Sequence, residues 1–158
     1  MGKVLGALRS SPLLALLTDD QLLRVAQVSR EMICGPGALV SVRSDWGEHT
    51  YILQEGKVAL QVSLHPGSRC GGEAAAVIDH PGQAFGWSAV VDEDRLSVHA
   101  QCVERTRLIA IDLRRLTPLD RVLILTRLAF YLFGLLQELG LCPLNLHDLV
   151  EFYGSSRL

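Results

Sequence analysis

The segment that most limits what this chain can fold into is residues 31–111. There, short β-rich runs follow one another: "REMIC", "ALVSV", "HTYILQE", "KVALQVSL", "EAAAVID", "LSVHAQCV" and "TRLIAI". Between them stand "GPG", "RSDWGE", "EG", "HPGSRCGG", "HPGQ" and "DEDR", the Gly, Pro and Asp clusters that reverse a chain. In "KVALQVSL", Val58, Leu60, Val62 and Leu64 alternate with Lys57, Ala59, Gln61 and Ser63, which is the pattern of a half-buried strand. Seven or eight short strands at this spacing predict a sandwich or barrel, and a jelly roll is one way to protect their edges. With 158 residues and 49% apolar content the chain can bury a sizeable core, and at 6% aromatic that core is mostly aliphatic.

Helical patterns flank this region. Residues 1–30 read as N-terminal helices. Thr18 precedes "DDQLLRVAQVSR" with Gln21 placed for a capping box, and Leu22, Val25, Ala26 and Ser29 share one face. Residues 112–158 read as C-terminal helices. Pro118 opens a run of about six turns that ends at Gly140, and "PLNLHDLVEFYG" is expected to add two more. Neither repeats nor a long linker divides the chain, so residues 1–158 are expected to form a single domain. The fold class is α+β, mainly β: a jelly-roll β-roll with N-terminal helices and a long C-terminal helix.

Several ordered motifs resemble the cyclic-nucleotide-binding domains, the effector domains of the catabolite activator protein family. Tyr51-Ile52-Leu53-x-x-Gly56-x-Val58 is similar to their hairpin, with Ser44-Asp45 where a Gly-Asp pair usually stands. Gly82-x-x-Phe85-Gly86 resembles the start of their phosphate-binding cassette, and "SVHAQCVERTRLIAID" resembles the two strands that follow. The resemblance covers about residues 10–140 and implies an eight-stranded β-roll between N-terminal helices and a C-terminal helix.

In the nucleotide-binding members, the resemblance implies that backbone N–H groups at a short helix N-terminus and an Arg hold the cyclic phosphate. A Glu after Phe-Gly accepts a hydrogen bond from the ribose 2′-hydroxyl. Here Trp87 stands in its place and offers one donor and no acceptor. Alignment on Val98-His99-Ala100 puts Asp94 where the Arg is expected, with Arg95 beside it and Asp92 and Glu93 before it. Carboxylates beside a phosphate repel it. The ligand-binding set is Gly86, Trp87, Ser88, Ala89, Arg95 and Ser97. Three readings stay open for it: cyclic AMP or cyclic GMP bound as in the family, another small effector in the same place, or a filled pocket in which Trp87 is a core aromatic. No cofactor beyond such a ligand is expected.

Other classes of function find less support in the residues. The net charge of −2 gives no electrostatic reason to expect nucleic-acid binding, and the 18 residues after Gly140, with Arg157 as their basic residue, predict no helix-turn-helix and no direct DNA binding. The apolar run Val122–Leu136 is too short, and Arg127 too central, for a membrane span. The histidines His49, His65, His80, His99 and His147 show no metal-ligand spacing, and His80 beside Pro81-Gly82 reads as a turn residue. A haem-binding cassette would need Cys or His where Gly86, Trp87 and Ser88 stand, and no catalytic cluster can be placed, so no enzyme is expected. Cys34, Cys70, Cys102 and Cys142 form no CxxC pair and read as free thiols of a cytoplasmic protein.

The C-terminal helix carries two apolar stripes. Val122, Leu125, Ala129, Leu132, Leu136 and Leu139 follow coiled-coil spacing, while Ile124, Leu128, Tyr131 and Leu135 form the second. One stripe can pack on the roll. The other predicts a homodimer through the Val122–Leu139 seam, unless the tail folds back over it. The expected function is a stand-alone, non-enzymatic regulatory or sensor domain, with a protein partner reading its C-terminal helix. The alternative is a ligand-free dimerisation or scaffold protein that keeps only the roll.

Overall fold

A computed structural model describes residues 2–40, 49–64, 72–86 and 96–140. The order of elements is helix–roll–helix. It runs α1 (Gly2–Ser10), a 3-10 turn (Pro12–Leu14), α2 (Asp19–Gln27), seven strands, a second 3-10 turn (Leu113–Arg115) and α3 (Pro118–Glu138). The strands are β1 (Ser29–Cys34), β2 (His49–Glu55), β3 (Val58–Leu64), β4 (Gly72–Ile78), β5 (Ala84–Phe85), β6 (Leu96–Cys102) and β7 (Thr106–Asp112). They make two antiparallel sheets, ordered β1-β7-β2-β5 and β4-β3-β6, in a jelly-roll arrangement. The run beginning at Ala38 joins the second sheet by a bridge from Leu39 to Gln101, and its continuation lies outside the described residues.

Local chemistry explains where the elements begin and end. Thr18 and Gln21 form the full capping box of α2, with Thr18 Oγ1 accepting from the Gln21 N–H and Gln21 Oε1 accepting from the Thr18 N–H. Helix α2 stops at Gln27 rather than reaching residue 30, because Ser29 already pairs with Ile111 as the first residue of β1. Thr117 caps α3 through the Asp120 N–H, Pro118 occupies its first turn, and Gly140 follows it with φ +71°. In the β2–β3 hairpin Gly56 has φ +105°, and a Cβ there would lie 2.7 Å from the Thr106 Cα. No other residue type fits that turn without moving backbone.

The first sheet is covered on both faces. Leu108, Ile109, Ala110 and Ile111 of β7 are buried in succession, which an alternating strand with one wet face cannot achieve. Helix α1 packs on β1 and β2, and α2 packs on β1. One ion pair and one hydrogen bond to backbone fix α3 to the N-terminal helical segment. Arg24 of α2 grips the buried Asp120 with Nε–Oδ2 at 2.6 Å and Nη2–Oδ1 at 3.0 Å, and Arg127 donates from Nη2 to the Pro12 carbonyl at 3.1 Å. The Arg24 guanidinium holds the Asp120 carboxyl below its ordinary pKa.

The expected dimer seam divides. Leu125, Ala129, Leu132 and Leu136 are buried in the chain's own core, Leu139 packs against that core, and Val122 is exposed. The 3-4 stripe is therefore spent on covering the roll and the 3-10 turn, together with Ile124 and Leu128 from the other stripe. The apolar surface that α3 leaves exposed is Leu119, Val122 and Phe130. The predicted tail helix, "PLNLHDLVEFYG", lies outside the described residues. No described helix is long and apolar enough to cross a membrane.

Candidate ligand-binding site

The expected site begins where β5 ends. Two residues of β5 pair with β2, Phe85 opposite Tyr51 and Ala84 opposite Ile52. Gly86 then turns out of the sheet with φ +98°. A Cβ at Gly86 would lie 3.0 Å from both the His49 carbonyl oxygen and Tyr51 Cδ2. This close approach, added to the positive φ, is why glycine stands there. The buried Thr50 donates from Oγ1 to the Phe85 carbonyl at 2.9 Å and fixes the residue before the turn. Phe85 is fully buried, and its ring stacks on Tyr51 at 5.2 Å between centroids, with His49 stacked beyond Tyr51 at 6.4 Å.

The approach to Gly86 is held equally firmly. Gln83 Oε1 accepts from the backbone N–H groups of Asp79 and His80, closing the 79–83 turn. His80 is an exposed turn residue paired with Asp79, as its Pro-Gly neighbours predict. Gly82 N donates to the Leu53 carbonyl, and Leu53 N donates to the Gln83 carbonyl. The helical segments reach this strand from outside the roll. Ser11, buried, donates from Oγ to the Gly82 carbonyl at 2.8 Å. Burial raises the pKa of the Tyr131 phenol of α3, and the neighbouring Ala84 backbone works against it. Ser11, Thr50 and Tyr131 are not among the residues expected from the motif. Ser11 lies 71 positions from Gly82, and no local pattern announces such a contact.

Around His49 and Tyr51 the field is mixed. Burial lowers the His49 pKa, opposed by Asp112, whose Oδ2 lies 4.0 Å from Nε2, and reinforced by Arg114 and Arg30. Burial raises the Tyr51 pKa, and Arg30 works against it. Burial also opposes the charge on Asp112, but hydrogen bonds from Arg114 outweigh it and leave that carboxyl below its ordinary range.

Of the expected ligand-binding residues, the structure describes Gly86 in full. Ser97 sits on β6 opposite Ser63. Trp87, Ser88, Ala89 and Arg95 lie outside the described residues, as does the side chain of Ser97. What the fold does define is the frame of that segment. It leaves β5 in the first sheet and returns as β6 in the second, so residues 87–95 connect the two sheets. Among the described residues no group of His, Cys, Asp or Glu could hold a metal ion.

No protein-family model and no curated protein sequence matches the chain. Solved structures do match. The Thermus thermophilus catabolite activator protein is similar at 27% identity and a TM-score of 0.58, over 83% of this chain and 61% of that one. The regulatory domain of Toxoplasma gondii protein kinase A, solved with cyclic AMP, is similar at 18% identity and 0.61, over 82% and 50%. The regulatory subunit of a cyclic-AMP-independent protein kinase A from Trypanosoma cruzi, bound to guanosine, is similar at 15% and 0.61, over 89% and 50%. The fold is therefore that of the cyclic-nucleotide-binding domains of regulatory proteins. This chain spans half to three-fifths of the length of these three structures.

Proposed function

We propose that this chain is a non-enzymatic regulatory domain that binds a small effector between the two sheets and transmits its presence through α3. The observation that carries the reading is the constrained strand before residues 87–95. Gly86 is pressed against β2, Ser11 donates to the Gly82 carbonyl just before β5, and the Tyr131 phenol of α3 lies beside the Ala84 backbone. A ligand that repositions residues 87–95 would act on a segment already tied to both helical ends. The likeness to structures holding cyclic AMP in one case and guanosine in another supports an effector with a nucleoside part. The carboxylates Asp92, Glu93 and Asp94 favour a ligand of low negative charge over a cyclic phosphate. Calorimetric titration with cyclic AMP, cyclic GMP and guanosine tests this. Binding of any of the three supports an effector domain, and no heat at millimolar ligand sinks the nucleoside reading.

A second reading, a ligand-free dimerisation protein, is favoured by a different observation. Leu119, Val122 and Phe130 lie at 53–68% exposure along one side of α3. Large apolar side chains in a row on a helix are characteristic of a protein contact. In this reading two copies associate through that side of α3, and Val122 is the member of the expected seam that takes part. Sedimentation velocity of the wild type and of Phe130→Asp distinguishes a dimer from a monomer.

A further inference from the structure

Outside the candidate site, two cysteines distant in sequence meet in the fold. Cys34 ends β1 in the first sheet, opposite Thr106, and Cys102 ends β6 in the second sheet, opposite Val58. The chain leaving Cys34 turns at Gly35-Pro36-Gly37 and comes straight back against Cys102. Gly37 N donates to the Cys102 carbonyl at 2.7 Å, and Cys102 N donates to the Ala38 carbonyl at 2.9 Å. Thr106 sits between the strand ends, its Oγ1 bonded to the Glu104 carbonyl at 2.8 Å and the Lys57 carbonyl at 3.2 Å. The partly buried Cys34 packs against the core that contains Cys102, and Thr106 and Cys34 are the side chains that act on the Cys102 thiol. Both cysteines are free thiols, Cys102 buried and Cys34 partly exposed.

We propose that Cys34 and Cys102 form an oxidation-sensitive dithiol, which a hydroperoxide converts to a disulfide joining the two sheets of the roll. The accessible Cys34 reacts first. Its thiolate sulfur attacks a peroxide oxygen, the O–O bond breaks, the departing alkoxide or hydroxide takes up the proton the thiol had released and leaves as alcohol or water, and Cys34 becomes a sulfenic acid. The Cys102 sulfur then attacks the Cys34 sulfur. An S–S bond forms, the S–O bond breaks, and the departing hydroxide takes the Cys102 proton and leaves as water. Two thiols are oxidised by two electrons in all, and one peroxide is reduced. The order follows from access, since burial shields Cys102 and pushes its thiol pKa up. Among the described residues no third metal-binding side chain joins the pair, which favours thiol chemistry there over a metal ion.

The test uses the full chain carrying Cys70→Ser and Cys142→Ser, so that only this pair remains. Hydrogen peroxide added to the native protein is expected to remove two hydrogens from the intact mass and to give a peptide joining Cys34 to Cys102. Dithiothreitol is expected to reverse both, and the oxidised form should melt several degrees above the reduced one, because the link closes a long loop. Two results overturn the proposal: Cys34 ending as sulfinic acid without a cross-link, or a cross-link that appears only after unfolding in urea. A second measurement needs no substitution. Maleimide labelling of Cys34 in the native wild-type protein must abolish the cross-link to Cys102, and a link to Cys102 that survives labelling rules out Cys34 as its partner.

Discussion

At the residue scale, two glycines and one ion pair carry more of the architecture than their size suggests. Gly56 and Gly86 both have positive φ, but their surroundings differ. A methyl at Gly56 would meet backbone atoms of Arg105 and Thr106 at 2.7 Å, while at Gly86 the nearest atoms lie at 3.0 Å and include the Tyr51 ring, which can tilt. Gly86→Ala is expected to cost about 1–2 kcal/mol from its backbone conformation. Gly56→Ala should cost more, and urea denaturation of the two variants checks the order. The Arg24–Asp120 pair gives a pH dependence. The folded pKa of Asp120 is depressed, so the pair stabilises the protein above the ordinary carboxylate pKa and the contribution is lost as pH falls through the depressed value. Asp120→Asn is therefore expected to lower the urea midpoint at pH 7. The gap from wild type should shrink below about pH 4, where the unfolded chain's carboxylate takes up a proton that the ion-paired native carboxylate still refuses. An unchanged gap at pH 3 would show that the charge of Asp120 is not what holds α2 to α3. Gly56 and Gly86 were legible from their motifs, because turn chemistry is local. The ion pair was not, since Arg24 and Asp120 are 96 positions apart.

At the element scale, α3 shows how spacing can identify a helix without identifying its partner. The coiled-coil register of Leu125, Ala129, Leu132 and Leu136 is real, and it faces the chain's own core. Heptad-like spacing and the spacing of any core-facing stripe overlap over six turns, so the sequence could not choose between them. Two substitutions separate the faces. Leu132→Ala is expected to cost about 2–5 kcal/mol on denaturation, as a fully buried leucine in a packed core does. Phe130→Asp, on the exposed side, should change stability by less than about 0.5 kcal/mol while removing any self-association seen by sedimentation. The strands were easier to place. Six of the seven described strands lie on the β-rich runs, while the two-residue β5 (Ala84–Phe85) is too short to show a period, and Val58, Leu60 and Val62 of β3 are buried as their alternation predicts. The continuous burial in β7 departs from alternation because helices cover one face of its sheet and the roll interior the other.

At the scale of the whole molecule, the helical ends and the strand leading into residues 87–95 form one connected unit. Tyr131→Phe removes the α3 hydroxyl beside the Ala84 backbone and should cost no more than about 1 kcal/mol of stability. If α3 reads the state of that segment, the same change should reduce the difference in hydrogen exchange of α3 amides between the free and the effector-bound protein. An undiminished difference would exclude this hydroxyl from the coupling. The sequence alone determined the helix–roll–helix order, six of the seven described strands, the capping of α2 and α3, and the glycine turns at Gly56 and Gly86. Periodicity, caps and turn residues are short-range signals written in consecutive positions. The tertiary structure decided which stripe of α3 is buried, that Ser11 holds the Gly82 carbonyl before β5 and Tyr131 lies beside Ala84, that Arg24 holds Asp120, and that Cys34 meets Cys102. Each of these joins positions 47 or more residues apart in the chain. Such contacts are set by how the described sheets and helices close around a common core, and no run of neighbouring residues encodes that closure.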